Sequence, residues 1–129
     1  MMDNLIALAA AAREKALAVY SGFRVGAALR ARDGRVYTGC NIENASYGLS
    51  ICAERVALWK ALSEGASGFA EMAIVTDAET LTSPCGACRQ LLWEYCGDIP
   101  VVLANLSAIT GRHQLGDLLP LPFDRRLLS

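Results

Sequence analysis

Hydrophobic and polar positions along the chain predict a helix, a β-hairpin and then strands and helices in alternation. Alanine and leucine residues recur at helical spacing from about Asp3 to Val19, which predicts a first helix. Residues 23–31 and 35–40 alternate apolar and polar positions around Asp33-Gly34, a pair typical of a tight hairpin turn. The chain therefore begins as one helix followed by two antiparallel strands.

The remaining pattern predicts two longer helices between short apolar strands. One helix is expected over residues 52–64 with a cap near Ser50, and another runs to about Tyr95, with Ser83 as its cap and Pro84 at its first helical position. The other elements are strands at 72–76, 101–104 and 107–113 and a short helix at 115–119. This order predicts an α/β protein, with a mixed sheet of about five strands and helices packed on it. We expect residues 1–129 to form one domain.

Composition narrows the class of ligand and partner. Hydrophobic residues make up 53% of the chain and charged residues only 19%, so some apolar surface is expected to be buried between subunits. The net charge is −1 and the longest basic block is Arg125-Arg126, which argues against nucleic acid or an anionic membrane as partner. We expect a small, uncharged or weakly charged ligand. Five cysteines, an odd number, without a secretory leader favour the cytoplasm.

Three cysteines at predicted helix starts carry the candidate chemistry. Cys85 and Cys88 lie three residues apart on one side of a helix, where the positive end of the helix dipole favours thiolates. Cys52 begins the other long helix, and both helices start from strand ends on the same side of the sheet. Three thiolates leave the fourth position of a zinc ion open for water, the arrangement of a catalytic site. Glu54 is placed to take the proton of that water.

The polar loop over residues 41–48 is a candidate substrate-binding loop, with an ordinary surface turn as the alternative.

Five segments carry a pattern shared with a known family. They are Tyr20-Ser21 with Phe23-x-Val25-Gly26-Ala27-Ala28, Gly39-Cys40-Asn41-Ile42-Glu43-Asn44-Ala45-Ser46-Tyr47-Gly48, Cys52-Ala53-Glu54-Arg55, Ser83-Pro84-Cys85-Gly86-x-Cys88-Arg89-Gln90, and Leu118-Leu119-Pro120 leading to Phe123. Together they resemble the small homotetrameric, zinc-dependent cytidine deaminases of pyrimidine salvage. The main departure is Val19, where a proline commonly precedes the Tyr-Ser pair.

The resemblance implies a three-layer α-β-α fold and one zinc ion per subunit, held by Cys52, Cys85 and Cys88. It implies that a zinc-bound hydroxide attacks C4 of cytosine while Glu54 shuttles protons, so that cytidine or 2′-deoxycytidine yields uridine or 2′-deoxyuridine plus ammonia. Arg55, and with it Gln90, would support the zinc thiolates.

The same resemblance assigns the substrate-binding residues. Asn41 and Glu43 would hold the ribose hydroxyls, and Phe23 would pack against the pyrimidine. The backbone around Ala53 and Ser83 would contact the edge of the base. Residues matching Tyr47 and Phe123 reach a neighbouring subunit's site in the family, which implies a homo-oligomer, expected as a tetramer with shared active sites.

Two other classes of function stay open from the sequence. One is a zinc-stabilised scaffold or regulatory binding module, which would need neither the proton shuttle Glu54 nor the polar pair Asn41 and Glu43. The other, within the enzyme class, is a deaminase of a related aminopyrimidine, such as a nucleoside antibiotic or a base in nucleic acid. The charge balance disfavours the nucleic acid, and Asn41-x-Glu43 disfavours the antibiotic. Cys40, Cys96 and His113 lack companion spacing and are expected to be packing or surface residues. The sequence does not rank cytidine against 2′-deoxycytidine.

Overall fold

The protein is described by a computed structural model over residues 2–78 and 84–128. Its strands are β1 Gly26–Ala31, β2 Val36–Cys40, β3 Phe69–Val75, β4 Pro100–Ala104 and β5 Ile109–Gln114, and its α-helices are α1 Met2–Arg13, α2 Ala53–Ser63, α3 Gly86–Cys96 and α4 Leu115–Leu118. The strands form one mixed sheet in the order β2-β1-β3-β4-β5. The predicted five-stranded sheet is confirmed.

The directions of the strands decide where the helices begin. Strand β1 is antiparallel to both of its neighbours, β2 and β3, while β3 and β4 are parallel. Strands β2, β3 and β4 therefore run the same way. Because α2 follows β2 and α3 follows β3, both helices begin beyond the same edge of the sheet. This topology brings two distant parts of the sequence together at that edge.

The sheet separates two apolar layers, as the predicted α-β-α arrangement requires. On one face, Leu5 and Ala9 of α1 contact a cluster that includes Ala28 of β1. On the other face, α2 and α3 cover a larger cluster that includes Leu29 of β1 and Leu92 of α3. Neighbouring residues of β1 thus enter opposite layers, as the period of two in a strand dictates. The helices that carry the cysteines belong to the larger layer.

One glycine sets the distance between β2 and the start of α2. A Cβ atom added at Gly39 would lie 2.5 Å from the carbonyl oxygen of Ala53 and 2.6 Å from the backbone nitrogen of Ala57. Only a residue without a side chain leaves room for the two backbones to approach this closely. The first turn of α2 is therefore seated directly on the sheet.

The first helix is shorter than its sequence pattern predicts. Helix α1 ends at Arg13, whereas the spacing of apolar residues continues to Val19. The reason is a contact distant in sequence: the Leu17 N–H donates to the Asn41 carbonyl at 3.0 Å, and the Leu17 carbonyl accepts from the Glu43 N–H at 2.9 Å. These strand-like hydrogen bonds outweigh the local helical preference.

The predicted helix caps also need correction. The cap of α2 is Cys52, while the Ser50 hydroxyl accepts from the Asn44 N–H at 2.9 Å instead. The cap of α3 is Cys85, so Pro84 precedes the cap and is not the first helical residue. Ser83, predicted as cap and as a contact for the base, lies outside the described residues.

Candidate active site

The three predicted cysteines meet at the starts of α2 and α3. Their sulfur atoms all lie within 4.8 Å of one another, and the Cys52 and Cys85 sulfurs are 3.8 Å apart. That separation excludes a disulfide, whose sulfurs are about 2.05 Å apart. It matches the distance of about 3.8 Å between two ligands of a tetrahedral zinc ion with Zn–S bonds of about 2.3 Å. The cluster is thus able to hold a metal ion with one position left open.

The protonation of the thiols also fits a cation site. The pKa of Cys52 is lowered to about 6, chiefly by a hydrogen bond from Cys88. Burial of Cys52 opposes this shift. The same hydrogen bond, together with burial, raises the pKa of Cys88. Without a cation, the first thiolate thus opposes formation of the next. A bound metal ion removes this conflict because it deprotonates each thiol that coordinates it.

Arg55 supplies a positive charge beside the sulfurs. Burial alone would lower the pKa of Arg55, but its hydrogen bond with Cys88 and the negative charge of the thiols raise it. A cation that donates to sulfur offsets the excess negative charge of three thiolates around one Zn²⁺. The role of Arg55 in supporting the zinc thiolates stays a prediction.

Glu54 is the second residue of α2 and is only 5% exposed. Burial, the largest cause, raises the pKa of its carboxyl group to about 7, and the negative charge of Cys52 adds to this effect. A carboxyl group with such a pKa can both accept and release a proton near neutral pH.

A cavity of about 310 Å³ lies in front of this cluster. Seven of the predicted site residues line it, namely Phe23, Asn41, Glu43, Cys52, Ala53, Glu54 and Cys85. They come from the segment before β1, the loop after β2 and the starts of α2 and α3. The cavity is at the small end of the usual range for ligand sites, about 300–1,000 Å³.

Glu43 is held in the cavity wall as an ionised acceptor. Its carboxylate accepts hydrogen bonds from the Ser21 hydroxyl and from the backbone N–H groups of Tyr20 and Ser21, the latter two at 2.9 Å each. The hydroxyl of Ser21 is the first cause that lowers the pKa of Glu43. A fixed carboxylate in this position can accept hydrogen bonds from the hydroxyl groups of a ligand.

Asn41 has a structural task besides the predicted contact with ribose. Its side-chain oxygen accepts from the Val25 N–H at 2.9 Å, and its amide donates to the Phe23 carbonyl at 2.8 Å. The side chain therefore fixes the backbone that presents Phe23 to the cavity.

Ser21 and Thr76 are two of the lining residues for which the sequence predicted no role in the site. Ser21 holds Glu43, although its place in the Tyr-Ser pair gave no indication of that contact. Thr76 follows β3 and is only 4% exposed, in the cavity wall. Its position at the end of a central strand was the one signal available in the sequence, because ligands bind at the carboxyl ends of such strands.

Besides Cys88 and Arg55, three predicted residues of the described chain lie outside the cavity lining. Tyr47 is 74% exposed, with its ring centroid 5.9 Å from that of Tyr20, and Phe123 is 57% exposed. The Gln90 amide donates to the Phe123 carbonyl at 2.6 Å, so the partner that the structure gives it differs from the predicted thiolates.

In the described part of the chain, Cys40, Cys96 and His113 do not join the metal-binding cluster. Burial raises the pKa of Cys96 to about 12, which keeps that thiol protonated.

Comparison with known proteins agrees with this geometry. Residues 2–104 match the family model described as the cytidine and deoxycytidylate deaminase zinc-binding region. The chain belongs to this deaminase family. The three cysteines and Glu54 all lie within the matched residues, and zinc is the metal that the family description names.

Similar proteins cover nearly the whole chain. It is 48% identical over 129 residues to a cytidine deaminase of Sporosarcina psychrophila, covering 99% of this chain and 95% of that protein. A cytidine deaminase of Halalkalibacterium halodurans is 50% identical over 117 residues, covering 90% and 89% of the two chains. The crystal structure of cytidine deaminase from Burkholderia pseudomallei superimposes with a TM-score of 0.92 and 49% identity, covering 95% of this chain and 99% of that one. These matches support a hydrolase of the cytidine deaminase type.

Among the described residues, no helix has the length and apolar character needed to cross a membrane.

Proposed function

We propose that residues 1–129 form a single deaminase domain that hydrolyses cytidine and 2′-deoxycytidine to uridine and 2′-deoxyuridine, with release of ammonia. The observation that carries this proposal is the meeting of three thiols beside a cavity that two of them line together with a buried carboxyl group. Cys52, Cys85 and Cys88 would hold the zinc ion. When bound, zinc supplies a Lewis acid that makes water a nucleophile near neutral pH.

Glu54 moves the protons in this mechanism. It accepts one proton from the attacking water and delivers it to ring nitrogen N3 as the new C–O bond forms at C4. It then transfers the remaining proton of the new hydroxyl group to the amino group. The C–N bond breaks, ammonia leaves, and the C4 carbonyl of uridine remains. One water molecule is consumed for each ammonia released.

The opposite end of the cavity binds the sugar and one face of the base. The Glu43 carboxylate accepts hydrogen bonds from ribose hydroxyl groups, with Asn41 beside it, and Phe23 packs against the pyrimidine ring. The backbone of Ala53 contacts the edge of the base. The support for these assignments is that all four residues line the same cavity as Glu54. A scaffold protein would have no need of this arrangement.

The active protein is a homo-oligomer of the cytoplasm, and its expected form is a tetramer with shared active sites. Support comes from the high exposure of two aromatic residues near the site and in the C-terminal segment, Tyr47 and Phe123. In the oligomer these side chains contact the active site of a neighbouring subunit. Sedimentation of the purified protein measures the number of subunits.

The test is the release of uridine and ammonia from cytidine by zinc-loaded protein, measured beside 2′-deoxycytidine, adenosine and the variant Glu54→Ala. We expect turnover of both cytosine nucleosides, no turnover of adenosine, and zinc-bound but inactive Glu54→Ala. Full activity in that variant would refute the role of Glu54. A zinc-bound wild type without turnover of either cytosine nucleoside would indicate another substrate or a scaffold.

A further inference from the structure

Arg89 connects the cysteine cluster to the C-terminal part of the chain. It is the fourth residue of α3, one position after Cys88. Its Nε–H donates to the Pro84 carbonyl at 2.8 Å, and its Nη1 donates to the Leu118 carbonyl at 2.7 Å. One guanidinium group thus holds two backbone segments: the residue just before Cys85 and the end of α4.

The contact with Pro84 acts on the geometry of Cys85. The peptide bond between the two residues is planar, so a fixed Pro84 carbonyl also fixes the orientation of the Cys85 N–H and the direction in which its Cα lies. The pyrrolidine ring already restricts the φ angle of Pro84. Together the ring and the hydrogen bond leave the backbone that enters Cys85 little freedom.

Cys85 needs this restraint more than the other two cysteines do. Cys88 is buried with 1% exposure and is held by its surroundings, whereas Cys85 is exposed and caps the helix from outside. Fewer neighbouring atoms therefore limit the position of its sulfur. A charged donor forms shorter and stronger hydrogen bonds to a carbonyl than a neutral one, and the planar guanidinium directs two of them at once.

We propose that Arg89 is a positioning residue for the metal centre: it fixes Cys85 through the Pro84 carbonyl and uses the Leu118 carbonyl as its second anchor. This inference rests on the proposed function, because it assumes that the three cysteines hold zinc. Arg89 acts through the backbone before a ligand, whereas Arg55 contacts the sulfur of Cys88 itself.

The experiment compares the rate of zinc loss to an excess of a colorimetric chelator in the purified holoenzyme and two variants. Arg89→Lys keeps the positive charge and most of the aliphatic side chain. It replaces the planar guanidinium, which donates to two carbonyl groups at once, by a single ammonium group. The matched control is Trp93→Phe. This variant removes a different contact between α3 and the C-terminal segment, the 3.0 Å hydrogen bond from the Trp93 Nε1–H to Asp124. It leaves the hydrogen bond to the Pro84 carbonyl in place.

We expect Arg89→Lys to lose zinc about 10-fold faster than the wild type, the lower end of the usual effect of residues that orient metal ligands. Trp93→Phe should lose zinc at the wild-type rate. An unchanged rate in Arg89→Lys would overturn the proposal, as would equal acceleration in Trp93→Phe, which would assign the effect to the C-terminal segment. A wild type that binds no zinc would overturn the proposed function itself and, with it, the positioning role.

A second measurement needs no variant. In the nitrogen-15 NMR spectrum of the wild-type protein, the Arg89 Nε–H signal should be protected from exchange with water and should shift when zinc is removed. A signal that exchanges freely and is the same with and without zinc would contradict the proposal, even if the variants failed to fold.

Discussion

Replacing Gly39 by alanine tests how the sheet positions the active site. Gly39 lies in β2, and a Cβ atom there would be 2.5 Å from the Ala53 carbonyl oxygen. Ordinary van der Waals contact begins at 3.4 Å, so β2 and the first turn of α2 must separate by about 0.9 Å. The obstructing atoms belong to a helix backbone, which cannot rotate away as a side chain would.

The expected effect of Gly39→Ala follows from this displacement. Overpacking of a close contact costs about 1–3 kcal/mol in the free energy of unfolding, and the rigid backbone places this substitution near 3 kcal/mol. The same shift moves Cys52 and Glu54, which flank Ala53. Because a misplacement of about 1 Å near reacting groups can lower the rate about 100-fold, we expect kcat for cytidine to fall by about that factor.

The assay pairs urea unfolding with steady-state kinetics on cytidine. Gly48→Ala is the matched control, because a Cβ atom at Gly48 meets nothing within 4 Å. That variant should keep its stability within about 0.5 kcal/mol of the wild type. If Gly39→Ala were as stable as Gly48→Ala and as active as the wild type, the inference that close backbone contact seats α2 would be wrong.

Three further substitutions test separate parts of the site and fold. Arg55→Gln should lower kcat for cytidine about 10-fold with little change in KM, because the cation beside the sulfurs is lost while the sugar contacts remain; unchanged turnover would contradict this. Ser21→Ala removes the hydroxyl donor to Glu43 and should raise KM about 10-fold at nearly constant kcat, whereas a lower kcat alone would argue against a role in sugar binding. Hydrogen bonds, chiefly from Arg126, hold the pKa of Asp124 below its usual range. The ionised Asp124 carboxylate therefore stabilises the folded protein above the unfolded-state pKa of about 3.9. This stabilisation is lost as the pH falls through the lower folded-state pKa. Asp124→Asn should unfold at a lower temperature than the wild type at pH 7, and its unfolding temperature should fall less when the pH is lowered. Unfolding temperatures of the two proteins that change in parallel with pH would refute this.

Features encoded within a few neighbouring residues could be predicted from the sequence. The hairpin at Asp33-Gly34 and the two thiols at Cys85 and Cys88 depend on local geometry alone. The alternation of strands and helices was enough to predict that Cys52 lies at the same edge of the sheet as Cys85 and Cys88. The zinc-binding deaminase pattern added the family that the comparisons confirm.

Features set by contacts distant in sequence could not be predicted in the same way. Helix α1 ends early because Leu17 hydrogen-bonds to the loop after β2, and no pattern near Leu17 reports that contact. The Ser50 hydroxyl accepts a hydrogen bond from the Asn44 N–H, and Cys52 is the cap of α2. Gln90 donates to a carbonyl 33 residues away. In each case the partner in the structure differs from the one that the sequence suggested.

X-ray absorption at the zinc edge tests the assignment of the three cysteines as zinc ligands, because it counts the sulfur ligands in the purified holoenzyme. We expect three Zn–S bonds of about 2.3 Å and one lighter ligand at the open position, with Cys85→Ala reducing the sulfur count to two. Four sulfur ligands would indicate a closed structural site. Fewer than three in the wild type would contradict the assignment of Cys52, Cys85 and Cys88 as the metal centre of the deaminase.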